Sequence, residues 1–181
     1  FLWVARELVL RPQLFFRNLP FHAPLGSPLI FLTINSFLAA LFIANYRGVG
    51  FPVFVALMAA NIASALIAGL ILHAMALRLG SSPQRMAATM RIVCYASIVD
   101  IAAWIPAIGL IPYCYGLYLM FLGLQEVHKM SARRAGLALI SIVVLITALV
   151  SMLILLAPEG VREGLRLLDP ACGCGNFLVV A

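Results

Sequence analysis

The sequence predicts an all-α fold, a polytopic membrane bundle of five transmembrane helices, and two observations carry this prediction. Of the 181 residues, 65% are hydrophobic and only 10% are charged, whereas a soluble domain is about 25% charged. The apolar residues also run in blocks of about 20, the length that an α-helix needs to cross the hydrocarbon core of a bilayer. The blocks do not alternate between apolar and polar positions, as the strands of a membrane β-barrel would.

The five predicted spans lie within residues 26–157, which we expect to form the membrane domain. They cover residues 28–46, 52–77, 87–105, 107–125 and 137–157. Only Pro106 separates the third span from the fourth, which predicts a very tight hairpin. Pro112 and Gly116 are expected to loosen the fourth helix, which is tolerated where neighbouring helices cover the backbone. Residues 158–181 form a C-terminal tail.

Residues 1–25 are predicted to be an N-terminal interfacial segment. Pro12 breaks any single helix here. The segment mixes aromatic side chains with arginines, a combination that suits the lipid headgroup layer. These residues are Trp3, Phe15, Phe16, Phe21, Arg6, Arg11 and Arg17.

The positions of the basic residues predict the orientation in the membrane. Nine lie on the side of the N-terminus, namely Arg6, Arg11, Arg17, Arg78, Arg85, Arg91, Lys129, Arg133 and Arg134. Arg47, Arg162 and Arg166 lie on the other side. Because cytoplasmic loops carry the excess of basic residues, the N-terminus is predicted to be cytoplasmic and the C-terminus outside. The preference for Arg over Lys favours a bacterial cytoplasmic membrane. The basic residues lie in short loops between apolar blocks, which indicates membrane topology rather than nucleic-acid binding.

The second predicted span carries small residues at every fourth position, which would let another helix approach closely. These candidate helix-packing residues are Ala56, Ala60, Ser64 and Ala68. Asn61 and His73 lie on a neighbouring strip of the same helix. They are candidates for a polar pathway, and the favoured alternative is one interhelical hydrogen bond with a histidine at the membrane boundary.

Asp100 is the one acidic residue inside a predicted span. A carboxylate in hydrocarbon costs about 2.5–3.5 kcal/mol, so this side chain is expected to face protein or water. It is a candidate for proton relay or cation binding. The favoured alternative is a locally satisfied polar group near the hairpin, because no Lys or Arg lies in the core of a predicted span to pair with it.

No catalytic residue, metal site or cofactor is expected. The sequence has no Ser/His/Asp set, HExxH motif, P-loop or CxxCH motif. Cys172 and Cys174 lack the CxxC spacing of a zinc site. His22 and His128 both lie near a predicted interface, so no paired set of histidines is expected inside the bilayer.

One stretch carries a resemblance to a known family. Residues 123–135 read GLQEVHKMSARRA, and Tyr95-Ala96-Ser97 lies inside the third predicted span. Together they resemble the Yip1 family, whose members have a "GL…H…S…A" link between the fourth and fifth spans. The resemblance implies a cytoplasmic N-terminal region and five clustered spans, and it adds Tyr95 and His128 to the candidate functional residues. Eukaryotic members are tied to vesicle traffic and Rab GTPases, whereas bacterial members mostly lack an assigned activity.

The same link also has a structural interpretation, which we favour over partner recognition. Its basic side chains would hold the helices against anionic lipid, at about 1 kcal/mol per basic residue. Ser131 would cap the last helix.

The tail carries a second resemblance. Residues 169–178 read DPACGCGNFL, which is similar to the first motif of adenine-N6 DNA methyltransferases. Glycines in such a turn let the backbone approach a cofactor closely. Only six residues follow Gly175, and no NPPY-type turn is present, so methyltransferase activity is not expected.

These observations predict a non-enzymatic, Yip1-like integral membrane protein that organises a membrane or serves as an accessory subunit of a larger membrane complex. The alternative is a small transporter or channel component that uses Asp100 together with Asn61. The expected partners are membrane lipids and other membrane-protein subunits or further copies of the chain.

Overall fold

The computed structural model describes residues 1–20, 24–79, 85–105 and 108–156, with the side chains of 149–150 and 153–156 left aside. Every regular element in these ranges is helical, which confirms the predicted all-α class. The elements are α1 (Leu2–Leu10), α2 (Pro12–Arg17), α3 (Gly26–Arg47), α4 (Phe51–Leu79), α5 (Met86–Ala96), a 3₁₀ turn (Ser97–Val99), α6 (Asp100–Ala103), α7 (Leu110–His128) and α8 (Ala132–Leu156). Phe21, His22, Pro106 and the methyltransferase-like tail lie outside the described residues.

Within the described residues, four helical segments are long and apolar enough to cross a membrane. They are Gly26–Arg47, Phe51–Leu79, Met86–Ala103 and Leu110–His128. The sequence prediction of five spans differs by one from this count. The fifth predicted span falls on α8, whose last side chains are not described, so it stays a prediction.

The connection between the third and fourth spans is longer than predicted. The helix ends at Ala103 and α7 begins only at Leu110. Pro112 therefore falls in the first turn of α7, where a backbone N–H has no intrahelical partner to lose. The helix runs unbroken to His128, so the expectation that Pro112 loosens it is wrong.

Residues Phe1–Ile142 form one compact unit, and the contacts described below lie within it. Its first apolar cluster joins α1 and α2 to α3, α5 and α7 through side chains that include Leu8, Phe16 and Leu119. Its second joins α4, α5, α7 and the start of α8 through side chains that include Leu72, Leu124 and Ala138. Pro12 separates α1 from α2, as predicted, because it takes the first position of α2.

Two glycines allow helices to approach α5 closely. A Cβ atom added at Gly69 of α4 would lie 2.6 Å from the sulfur of Met90, closer than real contacts allow. A Cβ atom at Gly123 of α7 would collide with the Cγ2 atom of Ile92. Since α5 carries both Met90 and Ile92, it lies at the centre of the packing of this unit.

Candidate functional site

Two histidines meet at one threonine where α4, α5 and α7 come together. Nδ1 of His73 lies 3.0 Å from the hydroxyl oxygen of Thr89, and Nε2 of His128 lies 2.9 Å from the same oxygen. The two imidazole rings are 6.5 Å apart between centroids. Thr89 and His128 are fully buried, whereas His73 is half-buried.

The chemistry of the hydroxyl sets the direction of this chain of hydrogen bonds. A threonine hydroxyl donates one hydrogen, so it can donate to one histidine while it accepts from the other. Nδ1 of His128 is buried and has no hydrogen-bond partner among the described residues. A buried N–H group without a partner is costly. We therefore assign Nδ1 of His128 as the unprotonated nitrogen, Nε2–H as the donor to Thr89, and Thr89 as the donor to His73.

This cluster ties three helices together by side chains far apart in sequence. The sequence did not predict that His73 and His128 meet, because it does not identify Thr89 as the group between them. Thr89 has no motif around it that sequence reasoning could have used. Within the described ranges, no group of three or more His, Cys, Asp or Glu side chains is placed to hold a metal ion.

Arg91 lies inside the third predicted span, and the structure buries it. It lies in α5 with only 2% of its surface exposed, and its Nη1 donates a hydrogen bond of 2.6 Å to the carbonyl oxygen of Pro20. The observed start of α5 at Met86 is one residue from the predicted start at Ala87. The carbonyl of Pro20 satisfies the guanidinium inside the protein.

Tyr95 and Ser97 of the family-like Tyr-Ala-Ser stretch both take part in packing. The ring of Tyr95 meets Phe15 edge-on at 5.0 Å and Phe31 at 5.4 Å between centroids. The hydroxyl of Ser97 donates to the carbonyl oxygen of Cys94 at 2.7 Å and accepts from Nδ2 of Asn35 at 3.2 Å. Asn35 is fully buried and was not among the residues predicted from the sequence.

Among the described residues, no hydrogen bond connects Asp100 or Asn61 to the histidine cluster. Asp100 is half-buried and begins α6 directly after the 3₁₀ turn. In the part of the chain that the structure describes, its carboxylate makes no ion pair or hydrogen bond. Asn61 is half-buried, and its main-chain carbonyl accepts a 2.9 Å hydrogen bond from the hydroxyl of Ser64.

The small residues predicted to pack helices lie mostly on the outside of the protomer. Ala56, Ala60 and Ser64 are exposed, and Ala68 is half-buried. The close approach of α4 to α5 uses Gly69 instead. The role of the small residues as a contact for another helix therefore stays a prediction.

The link between α7 and α8 combines a buried part with an exposed part. Leu124 and His128 are buried, and α7 ends at His128 because Lys129 adopts a left-handed conformation with φ of 51°. Lys129 is exposed, and its ammonium group lies 3.7 Å from a carboxylate oxygen of Glu126. Ser131 directly precedes α8, at the position that the capping prediction requires.

The helices and their composition define the class of the protein, an integral membrane protein built as a helical bundle. The Yip1 domain family model matches residues 6–155, and the chain belongs to the Yip1 family. The match runs from α1 almost to the end of α8, so the family domain includes the N-terminal helices. No curated protein and no solved structure matches the chain.

Proposed function

We propose that this Yip1 family protein is non-enzymatic and acts through helix–helix contacts, either organising a membrane or serving as an accessory subunit of a larger membrane complex. The observation that carries the proposal is the exposure of α4. Only 11% of the most apolar part of this 29-residue helix is buried, against 56% for the segment Met86–Ala103. The unburied length of α4 must face lipid or another helix.

The side chains on the exposed part of α4 favour another helix. Ala56, Ala60 and Ser64 are small and exposed, and they repeat at every fourth position. Transmembrane helices associate through small residues because their backbones can then come close together. A large lipid-facing side chain at these positions would block such an approach.

The polar groups in the interior support a structural role. Thr89, His128, Asn35 and Ser97 are buried and joined by interhelical hydrogen bonds. Each interhelical hydrogen bond of this kind contributes about 1 kcal/mol to helix association, although Oδ1 of Asn35 and Nδ1 of His128 have no partner among the described residues. The proposal therefore assigns these residues to holding the helices and the surface of α4 to binding a partner.

The alternative function, a small transporter or channel component, rests on Asp100. This half-buried acid lies within the segment Met86–Ala103. Ionisable residues inside membrane spans often mark ion or proton paths. The alternative also uses Asn61, which shares no hydrogen bond with Asp100 among the described residues.

We also propose that the N-terminus faces the cytoplasm and that the protein lies in a bacterial cytoplasmic membrane. The proposal rests on the excess of basic residues on the side of the N-terminus. Lys129, Arg133 and Arg134 of the α7–α8 link are all exposed and would meet anionic lipid on that side.

The proposed contact between α4 and a partner helix is tested by enlarging a small residue on the exposed face of α4. Ala60→Leu is expected to leave folding unchanged, because Ala60 is exposed in the protomer, while it abolishes assembly. The control is Ala148→Leu, the same change at an exposed position of α8. Mass measurement and identification of co-purifying proteins in mild detergent give the result. The proposal fails if Ala60→Leu keeps the mass and partners of the unmodified protein, or if both variants lose them equally.

A further inference from the structure

The outward face of α1 combines large apolar side chains with an arginine at its centre. Leu2 is 80% exposed, Trp3 67% and Leu10 63%. Arg6 is exposed and lies four residues from both Leu2 and Leu10, so the three share one face of the helix. Leu8 lies on the opposite face and is fully buried. Such a face suits neither water nor pure hydrocarbon.

The two N-terminal helices are fixed in this orientation. The hydroxyl of Tyr115 in α7 donates to the carbonyl oxygen of Leu8 at 2.8 Å. Phe16 of α2 is fully buried in the first apolar cluster. Arg91 of α5 donates to the carbonyl of Pro20. With their inner faces held by α5 and α7, the helices cannot turn Leu2, Trp3 and Leu10 inward.

The position of Tyr115 along α7 places the end of α1 beside a predicted membrane span. Tyr115 precedes the last residue of α7, His128, by 13 positions, which corresponds to about 20 Å along the helix. The C-terminal end of α1 therefore lies alongside α7, whereas α2 lies near the end of α7, because Nε2 of Gln13 donates a 3.1 Å hydrogen bond to a carboxylate oxygen of Glu126. Lipid is the natural neighbour of the exposed apolar side chains, and tryptophan is enriched where lipid headgroups meet acyl chains.

The charge of the face selects the kind of lipid. Arg6, Arg11 and Arg17 are all exposed, whereas the one acid of residues 1–20, Glu7, is half-buried. A second copy of the chain would bring arginine against arginine if it packed on this face. We propose that the outward face of α1 and α2 binds anionic phospholipids, with Arg6, Arg11 and Arg17 contacting lipid phosphates and Leu2, Trp3 and Leu10 entering the acyl chains.

The fluorescence of Trp3 tests the proposal in the full chain. The chain has two tryptophans, so Trp104→Phe leaves Trp3 as the only reporter. This background is reconstituted in phosphatidylcholine vesicles that contain either brominated phosphatidylglycerol or brominated phosphatidylcholine at equal mole fraction. Brominated phosphatidylglycerol should quench Trp3 more strongly, since one basic residue near the surface enriches anionic lipid about fivefold.

Arg6→Gln should remove most of this preference, whereas Arg47→Gln, an exposed arginine at the end of α3, should keep it. Equal quenching by the two lipids in the Trp104→Phe background overturns the proposal even if Arg6→Gln fails to fold. Absence of quenching by either lipid also overturns it and indicates that protein or water covers the face. If stronger quenching by phosphatidylglycerol persists in both Arg6→Gln and Arg11→Gln, these arginines do not contact the lipid phosphates as proposed.

Discussion

The hydroxyl of Thr89 lies 2.9 Å from Nε2 of His128, joining α5 to α7 across 39 residues of sequence. The same hydroxyl donates to Nδ1 of His73 in α4, which lies 3.0 Å from its oxygen. The hydroxyl of Thr89 in α5 thus connects α4 and α7 by hydrogen bonds to one histidine of each helix. Because the site is buried, water cannot readily replace that hydroxyl.

Thr89→Val should therefore destabilise the protein by about 1–3 kcal/mol, the cost of leaving a buried polar group without a partner. Thr89→Ser keeps the hydroxyl and should lose much less. Thr33→Val is a further control, since the hydroxyl of Thr33 is exposed and bonds to Leu29 in its own helix. Thermal unfolding in detergent measures all three. Equal losses for Thr89→Val and Thr33→Val would show that the bridge contributes nothing.

Gly123→Ala should destabilise the protein by about 1–3 kcal/mol, the usual range for overpacking a core. The added methyl group meets Ile92 of α5. Gly136→Ala is the control, because nothing lies within 4 Å of a Cβ at that position of α8. This second change should be neutral or stabilising by up to about 1 kcal/mol.

A double variant decides whether the collision with Ile92 is the cause. Gly123→Ala combined with Ile92→Ala should unfold at a higher temperature than the sum of the two single losses implies, because the smaller side chain makes room for the methyl group. Strictly additive losses would assign the effect of Gly123→Ala to another contact.

Asp100→Asn should be nearly silent or mildly stabilising. The amide has almost the same shape as the carboxylate, and it removes the cost of a charge close to hydrocarbon. Thermal unfolding and ion or proton flux in proteoliposomes are the measurements. A flux that the unmodified protein supports and Asp100→Asn abolishes, with folding intact, would favour the transporter over the organising role.

Cysteine labelling tests the orientation in a background without the four natural cysteines. A single cysteine at Ser131, in the α7–α8 link, should be protected from an impermeant reagent in intact cells. A single cysteine at Gly50, which is exposed between α3 and α4, should be labelled. The reverse pattern would invert the predicted topology.

The apolar blocks of the sequence predicted the helices well, because a span must be apolar over its whole length whichever neighbours it has. The first two predicted spans begin and end within two residues of α3 and α4. The boundaries around residues 103–110 were less accurate. A proline between two apolar blocks marks a break in a helix but does not fix the length of the connection.

The interior polar contacts could not be predicted in the same way. Thr89, Asn35 and Arg91 each bond to a residue at least 16 positions away, and periodicity along one helix carries no information about such pairs. The family-like link gave a partial signal through Gly123 and His128, which are both buried against α5. Their partners, Ile92 and Thr89, carry no recognisable motif.

The unequal lengths of α4 and α7 have a consequence for the membrane itself. With 29 and 19 residues, the two helices extend over about 43 and 28 Å. A bilayer whose hydrocarbon core is about 30 Å thick matches α7, whereas α4 must tilt, protrude or thicken the surrounding lipid. Hydrophobic mismatch of this kind sorts proteins among membranes of different thickness. Where tilting does not absorb the mismatch, a helix of this length would favour the thicker parts of a heterogeneous membrane.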